Sequence, residues 1–69
     1  MELEFAVFCI ENIARRLNRN GAEVYSLLAE KSDILSSYVM KNWEVLHTQD
    51  MDYIVDDILE VMRERGLVE

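Results

Sequence analysis

MDYIVDDILEVMRERGL, residues 51–67, decides the fold. Wound at about 100° per residue, it places Met51, Ile54, Val55, Ile58, Leu59, Val61 and Met62 on one side of a helix. Thr48 or Asp50 can cap its start. Its end carries matching signals: Gly66 suits a left-handed residue after a helix, Leu67 can fold back on Met62, and Arg63 and Arg65 lie at the negative pole. On the outer side Asp56, Asp57, Glu60 and Glu64 share an arc of roughly 100°, with Tyr53 projecting from its middle.

Three further helical segments precede it. Glu2 to about Asn18 aligns Leu3, Ala6, Val7, Ile10, Ile13, Ala14 and Leu17 as the expected core stripe. Phe5 and Phe8 then fall outside that stripe, which predicts an apolar surface near the N-terminus. Arg15, Arg16 and Arg19 gather where cations meet the negative end of the helix, an arrangement that needs no phosphate ligand. Asn20, with Glu23 three residues on, predicts a short second helix with Val24, Leu27 and Leu28 inside and an end near Lys31. Ser32 or Asp33 can cap a third, on which Ile34, Leu35, Tyr38, Val39, Trp43, Val45 and Leu46 cover about half the circumference.

Composition agrees with helices. The 69 residues are 51% hydrophobic and 30% charged, with two glycines and no proline, too apolar for a disordered chain and too poor in turn residues for a sheet. A chain of this length lies near the lower limit for an uncrosslinked core, so a partner or a second copy would help it. Cys9 and His47 are the only cysteine and histidine, so neither an internal disulfide nor a metal cluster of such ligands is available, and no cofactor is expected. No apolar run reaches the roughly 20 residues of a membrane span. Glu2 and Glu4 stand where a signal peptide would carry positive charge, so a cytoplasmic location is expected. The net charge is −7, with a balance of −1 over residues 1–43 and −6 over residues 44–69. This opposes binding to a phosphate backbone.

No spacing supports catalysis. There is no glycine-rich phosphate loop, paired-histidine motif or nucleophile elbow. Cys9 borders the core stripe, where a cysteine acts as a small apolar residue, and His47 closes the third segment, where an imidazole satisfies helix carbonyls. Two surfaces suggest binding instead: Phe5 and Phe8 at the apolar end, and Tyr53 among Asp56, Asp57 and Glu60, a setting that suits a basic partner. A second reading treats Ala22 to Asn42 as a helix-turn-helix presenting Ser36, Ser37, Met40 and Lys41 to DNA. Its turn lacks glycine, and only one exposed residue is basic.

Several segments together resemble a known family: Phe8-Cys9-Ile10-Glu11-Asn12, Glu23-Val24-Tyr25, Trp43-Glu44-Val45-Leu46-His47-Thr48-Gln49 and Tyr53-Ile54-Val55-Asp56-Asp57-Ile58. They are similar to the small bacterial proteins of domain-of-unknown-function family 3791 along nearly the whole chain. The most specific part is Leu46-His47-Thr48-Gln49 followed by Tyr-Ile-Val-x-Asp-Ile, and Trp43 stands where a tyrosine is expected. The resemblance implies a compact bacterial helical domain with no established enzymatic activity. It also implies an accessory or antitoxin-like role beside proteins resembling ADP-ribosyltransferases. Physically, the motif reads as a corner, with His47 closing one helix and Thr48 capping the next.

The expectation is therefore one all-α domain over residues 1–69, a compact bundle of three long helices and one short one. It acts as a non-catalytic protein-interaction module that binds and restrains a partner protein. Homodimerisation is compatible with this reading, a small helix-turn-helix DNA-binding regulator is the alternative, and neither nucleic acid nor membrane is the expected partner.

Overall fold

The computed structural model describes residues 2–68, which are helical with no strand among them. The elements are α1 (Glu2–Leu17), α2 (Gly21–Tyr25) continuing into a π-helical segment (Ser26–Glu30), a second π-helical segment (Leu35–Met40), α3 (Trp43–Leu46) and α4 (Met51–Glu64). They pack into a body of 27 × 21 × 20 Å. Among the described residues no helix is long and apolar enough to cross a membrane.

Local signals set most boundaries. Asn20 accepts the Glu23 backbone N–H at 2.8 Å, and its amide donates to the Glu23 carboxylate at 3.3 Å, which fixes the start of α2. Asp50, rather than Thr48, caps α4 by accepting the Asp52 N–H. Gly66 has φ 72°, its N–H donates to the Arg63 carbonyl, and the Leu67 N–H donates to the Met62 carbonyl at 2.9 Å, so α4 ends in a Schellman motif. An unanticipated twin of this motif ends α1. Asn18 has φ 56°, its N–H donates to Arg15, and the Arg19 N–H donates to Ala14 at 2.9 Å.

The third segment departs from a continuous helix. After Ser32, whose hydroxyl donates to the Leu27 carbonyl at 2.7 Å, the Asp33 carbonyl accepts the Ser37 N–H and the hydroxyls of Ser36 and Ser37. Side-chain hydroxyls that compete for helix carbonyls loosen the regular winding, and here the turns are π-helical. The helix then breaks at Lys41 and Asn42 before α3, with the Asn42 amide donating to the Tyr38 carbonyl at 2.8 Å.

The core is formed by Phe5, Cys9, Ile13 and Ala14 of α1, Val24, Leu28, Ile34, Val39 and Leu46 from the middle, and Ile54, Val55, Ile58, Leu59 and Met62 of α4. The α4 stripe and the α2 core positions fall where the periodicity puts them. The α1 stripe does so only in part, with Ala6, Ile13 and Ala14 buried as expected and Ile10 and Leu17 partly buried. Phe5 is buried, whereas Leu3 is 64% and Val7 46% exposed, so the buried face is rotated by roughly 60° from the expected one. α1 is apolar around much of its circumference, and turning it this way encloses the Phe5 ring and the Cys9 side chain and leaves Leu3 and Val7 in water.

Candidate functional site

Two surfaces stand out. The first is the outer side of α1, where Leu3, Val7 and Phe8 lie exposed in a row beside Glu4 and Glu11. These five line a shallow hollow of about 290 Å³. A neighbouring hollow of about 250 Å³ shares Leu3 and continues the apolar surface over Tyr25, Ala29, Leu35 and Met40. The two π-helical segments therefore help to build this face. Glu4 and Glu11 have no ion-pair partner among the described residues.

Phe5 does not belong to this surface, because it points the other way into the core. Phe8 does, at 59% exposed, and it is joined by Leu3 and Val7 from the expected core stripe. The missed signal was the choice of face on a helix that is apolar nearly all round. Aliphatic spacing alone favours Leu3 and Val7, and no local signal marks the side of Phe5 and Cys9 as the one that packs.

The second surface is a groove of about 350 Å³ lined by Tyr38, Asn42, Val45, Leu46, Gln49, Tyr53 and Asp57. It brings two residues of the Leu46-His47-Thr48-Gln49 motif beside Tyr53 and Asp57. The Tyr38 hydroxyl donates to the Asp57 carboxylate Oδ2. That bond, helped by burial and the Asp57 charge, pushes the Tyr38 phenol up to about 12. Tyr53 remains 58% exposed.

The other acids of α4 are not equivalent. Asp56 meets Arg16 at 2.5 Å, and Asp52 lies 3.6 Å from the same guanidinium, so one arginine ties α1 to α4. The Arg16 guanidinium is held even more firmly protonated by its hydrogen bond to Asp56. Glu60 lies 3.8 Å from Arg63 on its own helix. The outer arc is thus partly neutralised from within, and of Tyr53, Asp56, Asp57 and Glu60 only Tyr53 and Asp57 open into the groove. Far from this arc, Arg65 meets Asp33 at 2.5 Å and holds that carboxyl below its usual range.

The motif residues form the corner between α3 and α4. Leu46 is buried; His47 Nδ1 donates to the Trp43 carbonyl at 2.8 Å, and its ring lies 4.7 Å from that of Trp43. The Thr48 hydroxyl donates to Val45 at 2.7 Å, and the Gln49 N–H donates to Leu46. Thr48 therefore joins His47 in closing the first helix and does not cap the next. On the stretch that the helix-turn-helix alternative would present to DNA, the Ser36 and Ser37 hydroxyls turn back on Asp33 and Met40 is half-buried. Cys9 is fully enclosed, and burial pushes its thiol up to about 11, far from the thiolate a nucleophile needs.

The family described as "Protein of unknown function (DUF3791)" matches residues 4–65, and the chain belongs to it. Neither the curated proteins nor the solved structures contain a significant match.

Proposed function

We propose that this member of the DUF3791 family is a non-catalytic interaction module that binds and restrains a partner protein, in an accessory or antitoxin-like role. The observation that carries the reading is the row of Leu3, Val7 and Phe8 left in water on α1, continuous with the hollow over Tyr25 and Leu35. A contiguous apolar patch rimmed by charge is the usual mark of a protein contact, whereas isolated surface apolar residues are ordinary. Glu4 and Glu11 at the rim favour a partner whose apolar ridge is edged with Lys or Arg. The overall charge of −7 acts in the same direction at longer range.

The deciding experiment is affinity capture with the tagged wild-type chain and with a Leu3→Ser/Phe8→Ser variant, alongside light scattering. An ADP-ribosyltransferase-like protein is the first partner to try. Recovery of one stoichiometric protein by wild type only, with both forms melting alike, supports the reading. Identical recoveries from both forms would sink it, and a wild-type dimer that the variant cannot form would assign the face to self-association. Asp56 is the poorer site to reverse, because its loss also releases Arg16 and with it the tie between α1 and α4.

A further inference from the structure

We infer that the groove between the third segment and α4 is a receptor for one arginine side chain of the partner polypeptide. This rests on the interaction reading above but on a different surface. Its carboxylate is already oriented: Asp57 Oδ2 accepts the Tyr38 hydroxyl, while Oδ1 has no partner among the described residues. The Tyr38 proton is committed to that bond, so Tyr38 offers the groove no competing donor. The Asn42 side-chain amide donates one N–H to the Tyr38 carbonyl at 2.8 Å, and its carbonyl oxygen, with no partner among the described residues, is a second acceptor. Gln49 supplies an amide with no described intramolecular bond, and the exposed Tyr53 ring forms one wall. Val45 and Leu46 provide the apolar lining.

An acceptor-rich hollow with one carboxylate and an aromatic wall suits a guanidinium better than other groups. The planar fork donates in its plane to Asp57 and Asn42, its face stacks on Tyr53, and its methylene stem covers Val45. A lysine ammonium supplies the charge but neither the fork nor the stacking plane. The volume of about 350 Å³ lies at the small end of ordinary ligand sites, in keeping with a single side chain.

The test titrates the full chain with N-acetyl-L-arginine methylamide while amide and side-chain shifts are followed by NMR. The lysine analogue and the uncharged citrulline analogue serve as comparisons. The expected result is saturable shifts confined to Asn42, Val45, Gln49, Tyr53 and Asp57, weaker with lysine and absent with citrulline. Asp57→Asn, which keeps an acceptor for Tyr38, should weaken binding about tenfold or more, the loss of one charged hydrogen bond. Tyr53→Ala, at an exposed position, should weaken it several-fold without altering the melt, and it keeps the test open if Asp57→Asn fails to fold. Shifts that never saturate, or equal arginine and lysine shifts spread over Asp52, Asp56, Glu60 and Glu64, would overturn the inference. Such a failure with capture through Leu3 and Phe8 intact would remove the arginine site alone; loss of capture specificity at α1 with saturable arginine binding would remove the α1 contact alone.

Discussion

Replacing Phe5 and Phe8 separately by alanine tests the orientation of α1, on which the assignment of its outer face depends. Phe5 is 8% exposed and belongs to the buried core, so Phe5→Ala loses the ring's transfer energy and leaves a cavity, about 3–5 kcal/mol. A 69-residue domain has a total stability of roughly 3.5–10 kcal/mol, so the loss is about 30% of it at least. Phe8 keeps well over half its surface in water. Its truncation forfeits at most about 1 kcal/mol of burial, and the better helix propensity of alanine returns about half of that. At about 4–8 °C per kcal/mol for a domain of this size, Phe5→Ala should melt at least about 12 °C below wild type and Phe8→Ala within about 4 °C of it. Circular dichroism melts, or urea midpoints if Phe5→Ala is unfolded at the start, read this directly. Equal losses from the two variants, or a larger loss from Phe8→Ala, would refute the observed rotation of α1 and restore Leu3 and Val7 to the core.

Three further outcomes are expected. Asn18→Ala and Gly66→Ala should each cost about 1 kcal/mol, because both positions have positive φ, whereas Asn18→Gly should leave the urea midpoint near wild type. The folded-state phenol of Tyr38 ionises near 12 instead of 10, so the unfolded chain releases that proton first; stability should fall as pH rises from about 10 to about 12, and a Tyr38→Phe variant should show a shallower alkaline decline. Asp33 runs the other way. Arg65 lowers its folded pKa, so the contribution is present above the unfolded carboxylate range and lost as pH falls through the lowered value. The stability difference between wild type and Asp33→Asn should therefore vanish in acid, as followed by urea midpoints against pH.

What was legible in the sequence is what a few neighbouring residues decide. The Asn20 cap, the Asp50 cap and the Gly66-Leu67 ending each close through bonds spanning two to five positions, and composition alone gives the all-helical class. The Asn18 ending is equally local, but asparagine marks a left-handed residue less strongly than glycine and the run of arginines around it draws the eye to charge. The break at Lys41 and Asn42 carries neither proline nor glycine. There the Asn42 side-chain amide joins the Asn42 backbone N–H on the Tyr38 carbonyl, a side-chain bond that spacing does not display. Longer-range features were out of reach. Arg16 and Asp56 are 40 residues apart and Tyr38 and Asp57 are 19 apart, so the partners that other elements bring to these α4 acids do not show in local spacing. The face of α1 was undecidable for the same reason, since only its packing against α2 and α4 selects between two apolar sides.

The distribution of unburied apolar side chains bears on whether this surface is incidental. The accessible surface of 4445 Å² is close to the roughly 4,500 Å² that mass scaling gives for a compact protein of 8.1 kDa, so the exposure does not come from a loose fold. Among the described residues the large apolar side chains left outside are Leu3, Val7, Phe8, Tyr25, Val45 and Tyr53. Each is roughly half exposed, so completing its burial would add about 1–2 kcal/mol, and the six together would add a sizeable fraction of what so small a domain possesses. Had these positions been left over at random, they would be scattered. Instead Leu3, Val7, Phe8 and Tyr25 fall on one continuous face, Val45 and Tyr53 flank a single groove, and the two sets share no lining residue. Stability forgone at two separate, shaped places accords with the proposal that another chain completes them, the α1 face offering area and the groove selectivity.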